Sequence, residues 1–315
     1  MIAAERPLIR RWSICSALVA CLVGAAPAHA VTRVLITNDD GPLGPGLQAL
    51  YTAFKALPDT ELQVVVPAGD ASGTGAGFTI MAPFTVVPNV PLLNGSDTAY
   101  SVSSNRPADC VRWAVLRLYA VDSPPDFVVS GINRGQNPGA AFGSGTVGGA
   151  LAANDLGIRS IAISQAITFT DPQNLGGALA DYESGAAFAA ELMQSLINNA
   201  PSVWPLSHHL ARGGLLNVQI PPRTPMGVRI VRAGNARSFF GRGLLRYQGT
   251  LGTGASQFTP QINLRNIDAF HPAAIAQGLG TDFGAVGAGY IAIVPWTVEN
   301  VGRASQRPCC SELLP

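Results

Sequence analysis

Five mainly apolar runs, each the length of a β-strand, constrain the fold of this chain more than any other feature. They occupy residues 33–37, 62–66, 126–130, 158–164 and 214–220. Four helical patterns alternate with them, at residues 45–56, 107–120, 146–156 and 181–198. Strands that are apolar on both faces are typical of a parallel sheet that carries helices on each side. The sequence therefore predicts a doubly wound α/β domain with a mostly parallel sheet.

The chain changes character after residue 221. The segment RYQGTLGTGASQFTPQINLRN, at residues 246–266, is rich in Gly, Thr and Gln, and one more apolar strand, GYIAIVPW, follows at 289–296. Residues 245–265 have too few large apolar side chains for a core of their own, so we predict a hairpin or extended arm. Such an arm is most stable when it pairs with another subunit, which predicts a homodimer or homotetramer.

The first thirty residues have the features of a signal peptide. Arg6, Arg10 and Arg11 precede an apolar run at residues 15–26, and AHA at 28–30 fits a small-x-small cleavage site. The run is shorter than the roughly 20 residues of a membrane-spanning helix. We therefore expect cleavage near Ala30, a periplasmic or secreted protein and no stable membrane association after processing. A retained anchor and a lipoprotein cleaved before Cys21 are the alternatives.

These assignments divide the chain into four parts. They are a signal peptide at residues 1–30, an α/β core at 31–244, an oligomerisation arm with a final core strand at 245–300, and a flexible tail at 301–315.

Charge and cysteine content exclude several functions. Loss of the leader removes three arginines and one glutamate, which changes the formal net charge from +1 to −1. This charge gives no electrostatic basis for binding a nucleic acid polymer or an acidic membrane. Cys110, Cys309 and Cys310 remain, and their spacing fits neither a disulfide framework nor a zinc site. We predict that Cys110 lies in the core.

Oxygen-bearing side chains follow the first three strands of the predicted core. Asp39 and Asp40 follow the first strand, Ser72 lies in the loop after the second, and Asn133 follows the third. Ligands of parallel sheets bind at the carboxyl ends of the strands, so these side chains are expected to meet. Carboxylate, hydroxyl and amide oxygens suit Mg²⁺ or Mn²⁺, or Ca²⁺, rather than zinc. The alternative is that they only form turns and helix caps.

A candidate anion site accompanies the predicted cation site. Ser144, Gly145 and Thr146 open a predicted helix, where unpaired amides and the helix dipole attract anions. A cation beside an anion site is typical of phosphoryl chemistry. Residues 143–148 also match GxGxxG, but no strand directly precedes them and no acid follows about twenty residues later, which argues against a dinucleotide site. His208 and His209, candidate general acids, are predicted to lie in a surface loop.

Several segments, taken in order, resemble the SurE family of survival-protein nucleotidases and acid phosphatases. The resemblance covers about residues 33–296. It rests on VLITNDDGPLGPGLQAL, VVVPAGDASGTGAG, RPADCVRWAV, PDFVVSGINRGQNPG, GSGTVGGALAANDLGIRSIAIS and TDFGAVGAGYIAIVPW. It implies a metal-dependent phosphomonoesterase that acts on nucleoside 5′- or 3′-monophosphates, with a Rossmann-like core and a C-terminal arm exchanged between subunits.

The resemblance also implies roles for individual residues. The family's metal ligands correspond to Asp39, Asp40, Ser72 and Asn133, the set already assembled from the strand ends. The family's phosphate pocket corresponds to Asn137, Ser144, Gly145 and Thr146. Two departures bear on nucleotide preference. Ala68-Gly69 stands where the common bacterial form has Asp-Arg, and Ala140-Ala141 replaces two acids.

The predicted chemistry is attack of an activated water on a phosphomonoester, with the helix start stabilising negative charge on the transferring group. Asp39 or Asp40 orients the water or takes its proton, and attack by a carboxylate itself is a further option. Two rival functions remain. One is an exported protein that binds a nucleotide or phosphate without hydrolysis. The other is a hydrolase of polyphosphate or of another phosphoester.

Overall fold

The structure is a computed structural model that describes residues 31–139, 143–169, 178–234, 245–248, 259–262 and 275–297, with residues 250, 253, 255 and 257. Within these ranges the main sheet has nine strands. The strands of the chain are β1 (Thr32–Thr37), β2 (Thr60–Pro67), β3 (Val86–Pro91), β4 (Thr98–Val102), β5 (Phe127–Arg134), β6 (Arg159–Gln165), β7 (Thr168–Phe169), β8 (Ala178–Leu179), β9 (Gly214–Ile220), β10 (Val228–Ile230), β11 (Leu245–Gln248), β12 (Thr259–Ile262) and β13 (Ile291–Thr297).

The main sheet is mostly parallel. Its strand order is β10-β13-β9-β6-β5-β1-β2-β4-β3. The six central strands from β9 to β4 run parallel to their neighbours. At one edge β3 is antiparallel to β4, and at the other β13 is antiparallel to β9 and parallel to β10. The predicted mostly parallel α/β architecture is confirmed.

Helices cover both faces of this sheet. They are α1 (Pro45–Lys55), α2 (Pro107–Arg117), α3 (Gly145–Asp155), α4 (Tyr182–Ile197), α5 (Trp204–Ala211) and α6 (Asp282–Gly287). Alternate residues of β1 point to opposite faces: Val34 and Ile36 pack with α1, α4 and α5, whereas Leu35 packs with α2 and α3. Helix α6 packs on the same face as α3. The sheet is therefore doubly wound, as predicted.

Local signals set where several helices begin. Proline occupies the first position of α1 and of α2, where a missing N–H costs nothing. Ser144 caps α3, because its Oγ accepts a hydrogen bond from the backbone N of Val147 at 3.2 Å. This cap fixes the start of α3, the helix that carries part of the predicted anion site.

All five predicted strands and four predicted helices are confirmed within a few residues. The prediction for the histidine pair is only partly right: His208 is exposed, as predicted, but both residues lie in α5 rather than in a loop. His209 is buried, and its Nε2 lies 2.8 Å from the backbone O of Trp296 and 3.2 Å from that of Leu215. Burial lowers the pKa of His209 below its usual value. His209 therefore packs α5 against the sheet.

The predicted arm contains a hairpin. Strands β11 and β12 pair in antiparallel fashion, with Leu245 opposite Ile262, and the pairing with a second subunit stays a prediction. Cys110 is fully buried, as predicted. The leader, the tail with Cys309 and Cys310, and Ala140-Ala141 lie outside the described residues. No helix in the described part of the chain is long and apolar enough to cross a membrane.

Candidate functional site

The turn after β1 presents two adjacent carboxylates. Asn38 shapes this turn, because its Nδ2 donates a hydrogen bond to the backbone O of Gly41 at 2.8 Å. Gly41 has φ of +81°, and a Cβ built on it would lie 3.3 Å from the backbone of Gly69. Only glycine adopts this conformation readily. The turn thus places Asp39 and Asp40 at the carboxyl end of β1 against the loop after β2.

Asp39 is held by the first residues of α3. Thr146 Oγ1 donates a hydrogen bond to Asp39 Oδ1 at 2.6 Å, and the backbone N of Thr146 donates to Oδ2 at 3.1 Å. A Cβ on Gly145 would lie 2.8 Å from the Cβ of Asp39, so glycine permits this close approach. The structure therefore brings the predicted metal ligand and the predicted phosphate-binding residues into direct contact.

The contact with Asp39 adds a partner for Thr146 to the phosphate that the sequence predicts, and the phosphate contact stays a prediction. The Thr146 amide, which the sequence assigned to an anion, donates to the Asp39 carboxylate in this structure. Thr146 therefore orients the Asp39 carboxylate through hydrogen bonds. Ser144 and Gly145 are buried beside it in the same segment.

Burial dominates the electrostatics of the two carboxylates. Asp39 is only 2% exposed, and burial raises its pKa above the usual value. Burial, followed by the charge of Asp39, raises the pKa of Asp40 to about 7, while a hydrogen bond from the backbone N–H of Arg134 opposes this shift. A nearby cation would favour the charged forms of both groups. The pair is thus suited to a divalent cation.

The loop after β2 closes over Asp39. The backbone N of Ala71 donates to the backbone O of Asp39 at 2.7 Å, which places Ser72 next to the site. Ser72 is exposed, and its backbone N donates to Asp70 Oδ1 at 2.8 Å. The charge of Asp70 contributes to the raised pKa values of Asp39 and Asp40. Sequence reasoning missed Asp70, although its place two residues before Ser72 in the same glycine-rich loop was a signal.

A β-bulge positions Asn133. Between Ser130 and Asn133 the strand β5 has one more residue than its neighbour β6. Gly131 makes this possible, since its φ is +144° and a Cβ on it would lie 2.4 Å from the backbone O of Ile163. Bulges of this kind redirect side chains near functional sites. Asn133 Nδ2 donates to the backbone O of Gly135 at 2.8 Å, so Oδ1 is the atom suited to a cation.

Asn137 lies in the loop that follows β5 and is held by polar side chains. Its Nδ2 donates to Ser164 Oγ at 3.0 Å, and its backbone N donates to Gln219 Oε1 at 2.7 Å. Its backbone O accepts a hydrogen bond from Asn217 Nδ2 at 3.0 Å. Asn137 is half-buried and therefore remains accessible to a ligand.

The predicted metal ligands are all oxygen donors. Among the described residues there is no group of three or more His, Cys, Asp or Glu side chains that could hold a metal ion. The predicted set has only two carboxylates, and a hydroxyl and an amide complete it. Such oxygen sets suit magnesium or manganese.

Known proteins share both the sequence pattern and the fold. Residues 34–239 match the family model described as "Survival protein SurE". The "5′-nucleotidase SurE" of Sulfurimonas denitrificans is 37% identical over 191 residues, which cover 60% of this chain and 65% of that relative. The "5′-nucleotidase SurE" of Desulforudis audaxviator is 36% identical over 206 residues, which cover 65% of this chain and 72% of that relative.

A solved structure agrees with these matches. The SurE protein from Aquifex aeolicus superposes with a TM-score of 0.60 at 28% identity, covering 84% of this chain and 93% of that protein. The matched range includes every residue of the site described above, from Asp39 to Thr146. The chain belongs to the SurE family.

Proposed function

We propose that this protein is a metal-dependent phosphomonoesterase that hydrolyses nucleoside monophosphates, as a 5′-nucleotidase or acid phosphatase. Two relatives with 36–37% identity carry the name 5′-nucleotidase SurE, and such enzymes are phosphoric monoester hydrolases. The observation that carries the proposal is the contact between Asp39 and Thr146, at 2.6 Å. It joins a candidate cation site to a candidate phosphate site, the combination that phosphoryl transfer requires.

We assign the cation to a set of four residues, Asp39, Asp40, Ser72 and Asn133. Burial raises the pKa of both Asp39 and Asp40. A cation would stabilise their charged forms, and this supports the assignment. When bound there, Mg²⁺ or Mn²⁺ acts as a Lewis acid toward a phosphoryl oxygen and makes water more acidic.

The two carboxylates have different environments, which suggests different roles. Both oxygens of Asp39 accept hydrogen bonds from Thr146, so Asp39 is fixed in orientation. Asp40 is half-buried and remains reachable by water. A bound cation would hold both carboxylates in their charged forms, which are able to accept a proton. We therefore assign to Asp40, the more accessible of the two, the removal of a proton from the attacking water, and to Asp39 a ligand role.

The phosphate is assigned to the segment that faces these acids. Asn137, Ser144, Gly145 and Thr146 are the candidate contacts. The start of α3 carries the positive end of the helix dipole, which stabilises charge that develops on the transferring group. Ser144 caps α3 and Gly145 is its first residue, so both lie at the end of the helix where this effect is greatest.

A phosphate-release assay tests the proposal. The purified protein is given nucleoside 5′- and 3′-monophosphates, other phosphomonoesters and polyphosphate, each with Mn²⁺, Mg²⁺ or a chelator. We expect release from the monophosphates with a metal and none with the chelator. Tight nucleotide binding without release would favour the binding-protein alternative, and preferred release from polyphosphate would favour the alternative hydrolase.

We also propose that the protein is exported and forms a homodimer or homotetramer through the arm. The basic start, the apolar run and AHA at residues 28–30 support export, and the hairpin of β11 and β12 supports the arm. Mass analysis of the processed chain should show Val31 as its first residue. Deletion of residues 245–265 should lower the mass measured by light scattering, and an unchanged mass would contradict the role of the arm.

A further inference from the structure

The loop after β5, taken here with the last residues of that strand as residues 133–139, connects the candidate cation site with the candidate phosphate site. Polar groups hold it along its length. At its start, Asn133 Nδ2 donates to the backbone O of Gly135 at 2.8 Å. At its end, the backbone N of Gly139 donates to Asp282 Oδ2 at 2.6 Å. Asp282 is fully buried and also accepts hydrogen bonds from the backbone N of Gly234 and of Phe283. Asp282 therefore ties the end of the loop to α6.

The middle of the loop is held by a pair of amide side chains on β9. Gln219 Oε1 accepts from the backbone N of Asn137 at 2.7 Å, and Asn217 Nδ2 donates to its backbone O at 3.0 Å. Gln219 Nε2 donates to Asn217 Oδ1 at 2.8 Å, which completes a closed network. Both backbone polar groups of Asn137 are thus set by two side chains that also fix each other.

The position of Asn217 and Gln219 within the sheet makes their burial costly in free energy. Asn217 and Gln219 are two residues apart on β9, so they share one face of a strand that is buried along its whole length. Both side chains are fully buried, in a strand that also contains Leu216 and Val218. Burial of an amide is unfavourable unless its hydrogen bonds are satisfied. Apolar side chains would fill this space without that cost, so packing alone does not account for the pair.

We propose that Asn217 and Gln219 are positioning residues that set Asn137 relative to the start of α3 and thereby control the affinity for the phosphoryl group. The inference rests on the proposed function only in that Asn137 contacts phosphate. Neither residue touches the substrate. They act through Asn137, and Asp282 restrains the far end of the same loop.

The test compares three near-isosteric variants. Asn217→Leu removes the donor to the backbone O of Asn137, and Gln219→Met removes the acceptor for its backbone N. Both substitutions retain side-chain size. Asn154→Leu is the matched control, because Asn154 is also a buried asparagine whose Nδ2 donates to a backbone carbonyl, that of Gly213, at 2.9 Å. Asn154 lies in the last turn of α3, about 12 Å along the helix from Thr146. All three variants should lose some stability.

Only the two β9 variants should lose phosphate affinity. For each, we expect the KM for adenosine monophosphate to rise roughly 10- to 100-fold, as it does for groups that orient the ligands of a metal. The dissociation constant for inorganic phosphate, measured by calorimetry, should rise by a similar factor. The kcat should change little, because contacts made equally in the ground state and the transition state affect KM alone. Hydrogen exchange at the amide of Asn137 should also accelerate. The Asn154→Leu variant should match the wild type in KM, in kcat, in the dissociation constant for phosphate and in hydrogen exchange at Asn137.

Each outcome decides the inference. Unchanged phosphate affinity and KM in folded Asn217→Leu and Gln219→Met proteins would overturn it, as would an equal effect of Asn154→Leu. If the wild type releases no phosphate from any ester, the proposed function fails, yet calorimetry with inorganic phosphate still tests the role of the pair. A wild type that binds no inorganic phosphate would overturn this inference as well.

Discussion

The hydroxyl of Thr146, in the first turn of α3, donates a 2.6 Å hydrogen bond to Oδ1 of Asp39, at the end of β1. The two residues are 107 positions apart in the sequence. The backbone N of Thr146 binds the other carboxylate oxygen, so the pair forms a two-point contact. The orientation of Asp39 is therefore coupled to the start of the helix that we assign to phosphate.

The first prediction tests that coupling. Thr146→Val removes the hydroxyl but keeps the shape and the backbone amide. A hydrogen bond to a charged group contributes about 1.5–3 kcal/mol, so we expect activity and Mn²⁺ affinity to fall roughly tenfold or more. Thr146→Ser retains the hydroxyl and should preserve most of both. Wild-type metal affinity in folded Thr146→Val would show that the hydroxyl does not orient Asp39.

The second prediction concerns the two acids themselves. Asp39→Asn and Asp40→Asn keep the size of the side chain but each remove one ligand charge, so phosphate release and Mn²⁺ binding should fall by at least about 100-fold. Asn forms turns and caps about as well as Asp, so residues with a purely structural role would tolerate the change. The measurements are phosphate release and metal titration, with circular dichroism as the fold control. A folded Asp39→Asn protein with wild-type turnover would exclude the metal site.

Sequence reasoning pointed to the candidate site because the two acids follow a buried strand directly. It missed β3 and β4 (86–91 and 98–102). The β3 sequence VVPNVP contains two prolines, and the β4 sequence TAYSV is short and includes Thr and Ser, so neither has the apolar continuity of the central strands. Sequence reasoning did not predict that Thr146 donates to Asp39, since a helix start alone does not reveal which acid will approach it. The Asn217–Gln219 pair was hidden because two amides within a strand show no motif, and their partner Asn137 lies 80 residues away.

The third prediction concerns stability against pH in the presence of a chelator. Asp40 has a folded pKa of about 7 against an ordinary value of 3.8, so the folded state binds more protons than the unfolded state between these values. The stability linked to this group is fully present below about pH 3.8 and is lost as the pH rises through about 7. Burial raises the pKa of Asp282 to about 6, so Asp282 adds to the loss of stability as the pH rises from about 3.8 to about 6.

Urea unfolding at pH 5 and pH 8 measures this effect. We expect the free energy of unfolding of the wild type to decrease between the two values by about 1 kcal/mol or more, since one pKa unit corresponds to about 1.4 kcal/mol. Asp40→Asn should show a smaller decrease, and Mn²⁺ should restore stability to the wild type at pH 8 but much less to the variant. The same decrease in wild type and Asp40→Asn would show that Asp40 is not the titrating group.

The last prediction uses a glycine. A Cβ on Gly145 would lie 2.8 Å from Asp39 Cβ, 2.9 Å from Asp39 Oδ2 and 3.0 Å from the backbone O of Ala71. Contacts this short force α3 away from Asp39 or rotate the carboxylate, and either change breaks the two hydrogen bonds from Thr146. Gly145→Ala should therefore lower phosphate release by roughly 100-fold, the cost of displacing a catalytic group by about 1 Å.

Gly143→Ala is the matched control for that variant. Gly143 lies two residues earlier and is exposed, and a Cβ on it would have no atom within 4 Å among the described residues. Both substitutions add the same methyl group beside the start of α3, but only the one at Gly145 adds it against the carboxylate. Because alanine favours a helix over glycine by about 1 kcal/mol, Gly145→Ala can remain folded while it loses activity. Equal activity of the two variants would show that the close approach of α3 to Asp39 has no part in catalysis.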